Sequence, residues 1–130
     1  MIFAHGPGAF IAAHATKKAW AKNVNKKTIN AFALLGGFFG LAVDFDILYT
    51  WFVNSTQSHH AYITHTIFLP LAGLVIYALC SLFKKEKARA LGFIFFIATL
   101  SHLILDSFAG TIMWAFPFSQ NFYGLLSIDA

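Results

Sequence analysis

Apolar residues in this chain fall into four blocks separated by short polar stretches. The first is IFAHGPGAFIAAHAT, beginning at Ile2. The second runs from about Ile29 to Val53, the third from near Ala61 to Phe83, and the fourth from near Ala90 to about Phe108. An aromatic tail, TIMWAFPF, follows the fourth. Blocks two to four predict helices of bilayer length, about 20 residues at a rise of about 1.5 Å each. The first block is shorter and predicts a tilted, partial or re-entrant helix. It does not read as a cleavable signal, because its lysines, Lys17 and Lys18, follow the apolar stretch instead of preceding it. The expected fold is all-α: one membrane-embedded domain over residues 1–130, a bundle of about four helices with an aromatic C-terminal segment.

Composition supports a membrane setting. The chain is 58% hydrophobic and only 11% charged, against about 25% charged in an ordinary soluble domain. The single cysteine, Cys80, lies inside an apolar run and excludes an intramolecular disulfide.

The position of the charges matters more than their sum. Lys17, Lys18, Lys22, Lys26 and Lys27 lie between blocks one and two, and Lys84, Lys85, Lys87 and Arg89 between blocks three and four. The turn NSTQS between blocks two and three is uncharged. Basic loops stay cytoplasmic. This pattern therefore predicts a multi-pass protein of the inner, or cytoplasmic, membrane, with both basic loops inside and NSTQS outside. It also argues against nucleic acid as a partner. Membrane lipid is the expected surrounding. GGFFG places Gly36 and Gly40 one turn apart, a spacing that lets membrane helices approach closely.

With the basic loops set aside, the ionisable residues collect at one leaflet. His5 falls at the outer end of block one. Asp44 and Asp46 fall near the outer end of block two, and His59, His60 and His65 at the outer start of block three. His102 and Asp106 lie toward the outer end of block four. His14 is nine residues from His5, about 13 Å along a helix, and reads as a packing residue. Three carboxylates with no lysine or arginine on their side need a counter-charge. A bound divalent cation supplies it most directly.

Spacing agrees in part. His102 and Asp106 are i and i+4 and share a helix face. Asp44 and Asp46 are i and i+2, so both can serve one site only if the helix ends or loosens there; otherwise one ligates and the other stands behind a ligand. His60 is expected in the loop before block three, His65 in the first turn of its helix, and Thr64 as that helix's cap. Each fragment alone has an ordinary packing explanation. Their convergence at one leaflet is what points to metal. The donors are nitrogen and oxygen without thiolate, which suits zinc first, with manganese or iron as alternatives. There are enough of them for two ions, an arrangement suited to phosphoester hydrolysis.

AHGPGAF, GLAVDFDILY, HHAYITHT, SHLILDSF and WAFPFS together resemble the YdjM-like membrane-bound metal-dependent hydrolases, as a short His-His-x-Tyr-x-Thr-His branch. The resemblance covers nearly the whole chain. It departs where Val43 replaces a usual proline, Ala61 an arginine and Thr66 a serine. It implies Asp46, His60, His65, His102 and Asp106 as metal ligands. Asp44 would be a ligand, orienting group or general base, and His5 a ligand or base. The expected reaction is hydrolysis of an ester or phosphoester, in a small molecule or a lipid, at the non-cytoplasmic face. The rival readings are an ion or proton transporter and a non-catalytic, metal-stabilised membrane adaptor.

Overall fold

The computed structural model describes residues 2–22, 24–53 and 59–125, without the side chains of Ile2 and His59. The NSTQS turn and Asp129 lie outside the described residues. All regular structure among the described residues is helical: α1 (Ile2–Ala15), α2 (Lys17–Trp20), α3 (Lys26–Ala42), α4 (Asp46–Phe52), α5 (Phe68–Leu82) and α6 (Glu86–Ala109). A tight 3-10 turn, Val43–Phe45, joins α3 to α4. Two more, His59–Ala61 and Ile63–His65, precede α5.

Local chemistry sets several boundaries. The Asn25 side chain caps α3 by accepting the Thr28 N–H at 2.9 Å. α5 starts later than the apolar pattern predicts. Pro70 has no N–H to give and fits only the first turn of a helix, so α5 begins at Phe68 and leaves His65 in the turn before it. Thr64 is not a cap either, since its hydroxyl donates to the Asp46 carboxylate. At 15 residues α5 is shorter than the bilayer length expected of block three.

Among the described residues two helical stretches are long and apolar enough to cross a membrane, Lys26–Phe52 and Glu86–Ala109. Only 28% and 39% of their apolar windows are buried within the protein. The remainder needs an apolar solvent, which fits a bilayer better than a soluble core. α1 and α5 fall short of that length. α1 packs against α3 and α6, and α5 packs chiefly on α6.

Small residues set how closely the helices approach. A Cβ added at Gly40 would stand 2.5 Å from the Ala9 Cβ and 2.9 Å from the His5 carbonyl oxygen. Gly73 and Gly92 do the same for α5 and α6, where added Cβ atoms would meet the Phe96 N at 2.6 Å and the Tyr77 N at 2.7 Å. The bundle then divides into two levels. Near the lysines it is dry, filled by Ala13, Trp20, Ala33, Ala90 and Ile94, with the Trp20 indole N–H donating to the Ala13 carbonyl at 2.9 Å. α3 and α6 both start at a basic segment. About 21–24 Å along each, at 1.5 Å per residue, Gly40 and His102 meet at the polar level.

A Gly40→Val variant should force α1 from α3 and cost about 1–3 kcal/mol. Thermal unfolding in detergent should show a lowered midpoint, and an unchanged midpoint would contradict this packing.

Candidate metal centre

His5, Asp44, His65, His102 and Asp106 are all buried at the polar level. α1 brings His5, the 3-10 turn after α3 brings Asp44, the turn before α5 brings His65, and α6 brings His102 and Asp106. The α-helix does end at the two aspartates: α3 stops at Ala42 and the 3-10 turn Val43–Phe45 follows before α4 begins at Asp46. Asp44 consequently points into the centre while Asp46 stands at its edge.

Each imidazole is turned by a bond on its Nδ1. His102 donates from Nδ1 to the Gly40 carbonyl at 2.6 Å. His60 donates from Nδ1 to the Thr111 carbonyl at 3.1 Å. His65 Nδ1 lies 3.0 Å from Asp46 Oδ2, and His5 Nδ1 lies 2.7 Å from Asp44 Oδ2. A carbonyl or carboxylate oxygen can only accept, so Nδ1 carries the hydrogen and Nε2 is the nitrogen offered to a metal. Asp46 orients His65 from behind, and Asp44 faces the centre.

Four atoms converge there. His65 Nε2 is 3.6 Å from Asp44 Oδ1, 3.4 Å from Asp106 Oδ2 and 3.3 Å from His102 Nε2. His102 Nε2 is 3.6 Å from Asp44 Oδ1 and 3.0 Å from Asp106 Oδ2. A tetrahedron with metal–ligand bonds of about 2.0–2.2 Å has edges of about 3.3–3.6 Å; four of these five spacings fall in that range, and the His102 Nε2–Asp106 Oδ2 spacing of 3.0 Å is shorter. Asp44 Oδ1 and Asp106 Oδ2 are also buried atoms with no hydrogen-bond partner. For these two oxygens, proximity without hydrogen-bond alignment is what lone pairs aimed at a common point would show, while the two Nε2 atoms lie within hydrogen-bond distance of each other. The residues present therefore fit a divalent cation.

Two further imidazoles adjoin this set. His5 Nε2 is 2.9 Å from Asp106 Oδ1, yet it too lacks an aligned hydrogen-bond partner. His5, Asp44, His102 and Asp106 form one group able to hold an ion, and His60, His65 and Asp106 form another. Asp106 belongs to both. His14 stands apart, stacked on Phe10.

The C-terminal segment braces this end of the bundle. Trp114 is partly buried, and its indole N–H donates to the Ser107 hydroxyl at 3.0 Å. Its carbonyl accepts the Ile67 N–H at 3.0 Å. Ile112 and Tyr123 pair across the returning chain. The Gly40 and Thr111 carbonyls were not legible as site groups, because a backbone oxygen has no residue-type signature. Thr64 left a faint sign, as a hydroxyl beside the histidine it helps to place.

Electrostatics outside the spanning helices are consistent with this arrangement. Burial holds the His60 imidazole below its ordinary value. Burial also works against a charge on His65, but hydrogen bonds to Asp44 and Asp46 outweigh it and raise that imidazole to about 9. The metal-free protein therefore carries a proton on His65 at neutral pH. That proton stabilises the fold below the ordinary histidine value, and the contribution is lost as pH rises through about 9.

A buried, nitrogen- and oxygen-only centre of metal-binding type in an all-helical membrane protein is the class these features define. The sequence matches the YdjM inner membrane protein family over residues 2–129, and the chain belongs to that family. No curated protein and no solved structure matches it.

Two outcomes check the centre. Asp106→Ala removes a carboxylate common to both groups and should abolish tight metal retention by the purified protein. Retention at the wild-type level would reject Asp106 as a ligand. Metal affinity should rise with pH by about tenfold per unit between pH 7 and 9, as the His65 proton is displaced; titration with a chromophoric competitor measures it.

Proposed function

We propose that the protein is a membrane-bound, metal-dependent hydrolase acting on an ester or phosphoester at the non-cytoplasmic membrane face. The observation that carries this reading is the surplus of donors. A structural ion is complete with four ligands. Here the Nε2 atoms of His65 and His102 and the carboxylates of Asp44 and Asp106 supply four donors; His5 falls with Asp44, His102 and Asp106 in one group able to hold an ion, and His60 with His65 and Asp106 in another. The surplus suits a second ion sharing Asp106, or proton transfer beside a single ion.

In this reading His65, His102, Asp44 and Asp106 hold the ion, with zinc the best match to the donor set and manganese or iron the alternatives. When bound, a divalent ion polarises the substrate oxygen and makes water more acidic. His5, held between Asp44 and Asp106, is placed to take a proton from water and return it to the leaving alcohol. Water's oxygen joins the carbonyl carbon or phosphorus, and the alcohol leaves with the proton. Asp46 and the Gly40 and Thr111 carbonyls keep His65, His102 and His60 turned inward.

A metal-stabilised adaptor is the second reading, favoured by the near-tetrahedral set being complete without water. A transporter is less well supported. An ion path would have to cross the dry level, where Ala13, Trp20, Ala33, Ala90 and Ile94 close the bundle.

His5→Ala should keep bound metal and lower ester or phosphodiester hydrolysis by about 10²–10⁴-fold. Wild-type protein with full metal content and no hydrolysis would favour the adaptor. Sidedness is checked separately. A cysteine at Lys87, which is exposed, should react with a membrane-impermeant maleimide only from the cytoplasmic side. A cysteine at Phe122 should react only from outside. The reverse pattern would invert the orientation.

A further inference from the structure

The structure carries an apolar cleft that ends on the metal centre. It lies between α1 and α6, holds about 180 Å³, and is lined by Ala4, His5, Leu105, Phe108 and Ala109. Among these only His5 is polar. His5 is 1% exposed, and its Nε2 has no aligned partner. Ala4 and Ala109 are small enough to leave the gap. One turn further in, the two helices close up, because Gly8 admits Leu105: a Cβ there would stand 2.7 Å from Leu105 Cδ1. The rim is apolar and exposed, with Phe3 93% and Phe108 50% accessible. α6 is of membrane-spanning length, so this rim faces lipid.

We infer that the cleft admits the acyl chain of a membrane lipid sideways from the bilayer, with the lipid's ester or phosphoester reaching His5 and Asp106. A water-soluble substrate would need polar groups along its route, and apart from His5 this lining offers none. A straight acyl chain is already present in the surrounding solvent and matches the walls. Two other cavities lack this connection. One, beside Pro7, Phe10 and Phe38, touches no group of the centre. The other lies among Lys17, Lys18 and Lys22 at the opposite level. The inference rests on the hydrolase reading for the bond that is cut, but the binding of the chain can be measured without it.

The test uses the full chain, metal-loaded, in vesicles of phosphatidylethanolamine and phosphatidylglycerol. A trace of phosphatidylethanolamine carries a photoactivatable diazirine in one acyl chain, and labelled residues are mapped by mass spectrometry. Labelling at Leu105 and Phe108 should exceed that on the outward face of α5, at Leu74–Leu79, by about tenfold, the ratio expected if the cleft holds a chain about 1.4 kcal/mol better than open lipid contact does. Ala109→Phe fills the gap and should remove the excess while metal content stays at the wild-type level. Leu105→Ala widens the gap and should raise labelling at Phe108, which keeps the test decisive if the filled variant fails to fold. Labelling equal to that on α5, or unchanged in Leu105→Ala, overturns the proposal. Chain-to-chain cross-links through Phe108 in place of lipid adducts would assign the cleft to a second copy and overturn it too. Hydrolysis of long-chain and short-chain esters is followed in parallel. If wild type cleaves neither, the hydrolase reading fails, and the labelling pattern alone still upholds or rejects the cleft.

Discussion

Three carboxylates sit at one end of an apolar bundle whose lysines and arginine all belong to the other. Asp44 and Asp106 are buried, and Asp46 is nearly so. Inserting one carboxylate at the centre of a membrane helix costs about 2.5–3.5 kcal/mol, so two fully buried ones demand compensation. Among the described residues, the side chains paired with these carboxylates that can carry positive charge are imidazoles. They supply part of the charge by protonation, as His65 does, or all of the ligand field by releasing their protons to a divalent ion. The second state also uses the buried oxygens of Asp44 and Asp106 that no hydrogen bond satisfies.

The helix packing follows from holding these groups together. Gly40 serves twice. Its missing side chain lets α1 approach α3, bringing His5 to Asp44. Its carbonyl takes the Nδ1 hydrogen of His102 and turns Nε2 inward. Gly73 and Gly92 seat α5 on α6, and the turn ahead of α5 delivers His65. Beneath, the Trp20 level fills the bundle with apolar side chains, and the cleft between α1 and α6 reaches His5. A catalytic reading and a purely structural one share this architecture. They differ in what His5 and His60 do once four donors have been counted.

Much of this was legible in the order of residues. The four apolar blocks, the split of basic and acidic groups, and the i, i+4 pair His102 and Asp106 all follow from helical periodicity and charge. The spacing of Asp44 and Asp46 left two outcomes, a helix that ends or loosens there or one ligand backed by the other; α3 gives way to the 3-10 turn at Val43–Phe45, and Asp44 alone of the two faces the centre. Which of the two would turn inward was not legible, because that depends on where His65 arrives from another element. The start of α5 was misplaced because hydropathy ignores the missing N–H of Pro70, which put His65 in a turn and freed Thr64 to bind Asp46. The partner of Trp114 was not legible. Only the return of the chain over α6 gives its indole the Ser107 hydroxyl as an acceptor.

The most direct test of the central claim is metal-edge X-ray absorption on protein purified from metal-replete cells. The account expects a bound divalent ion with a coordination shell of nitrogen and oxygen at about 2.0–2.2 Å, imidazole scattering from at least two histidines, and loss of that signal in His102→Ala. A folded protein without bound metal, or a shell containing sulfur, would contradict it.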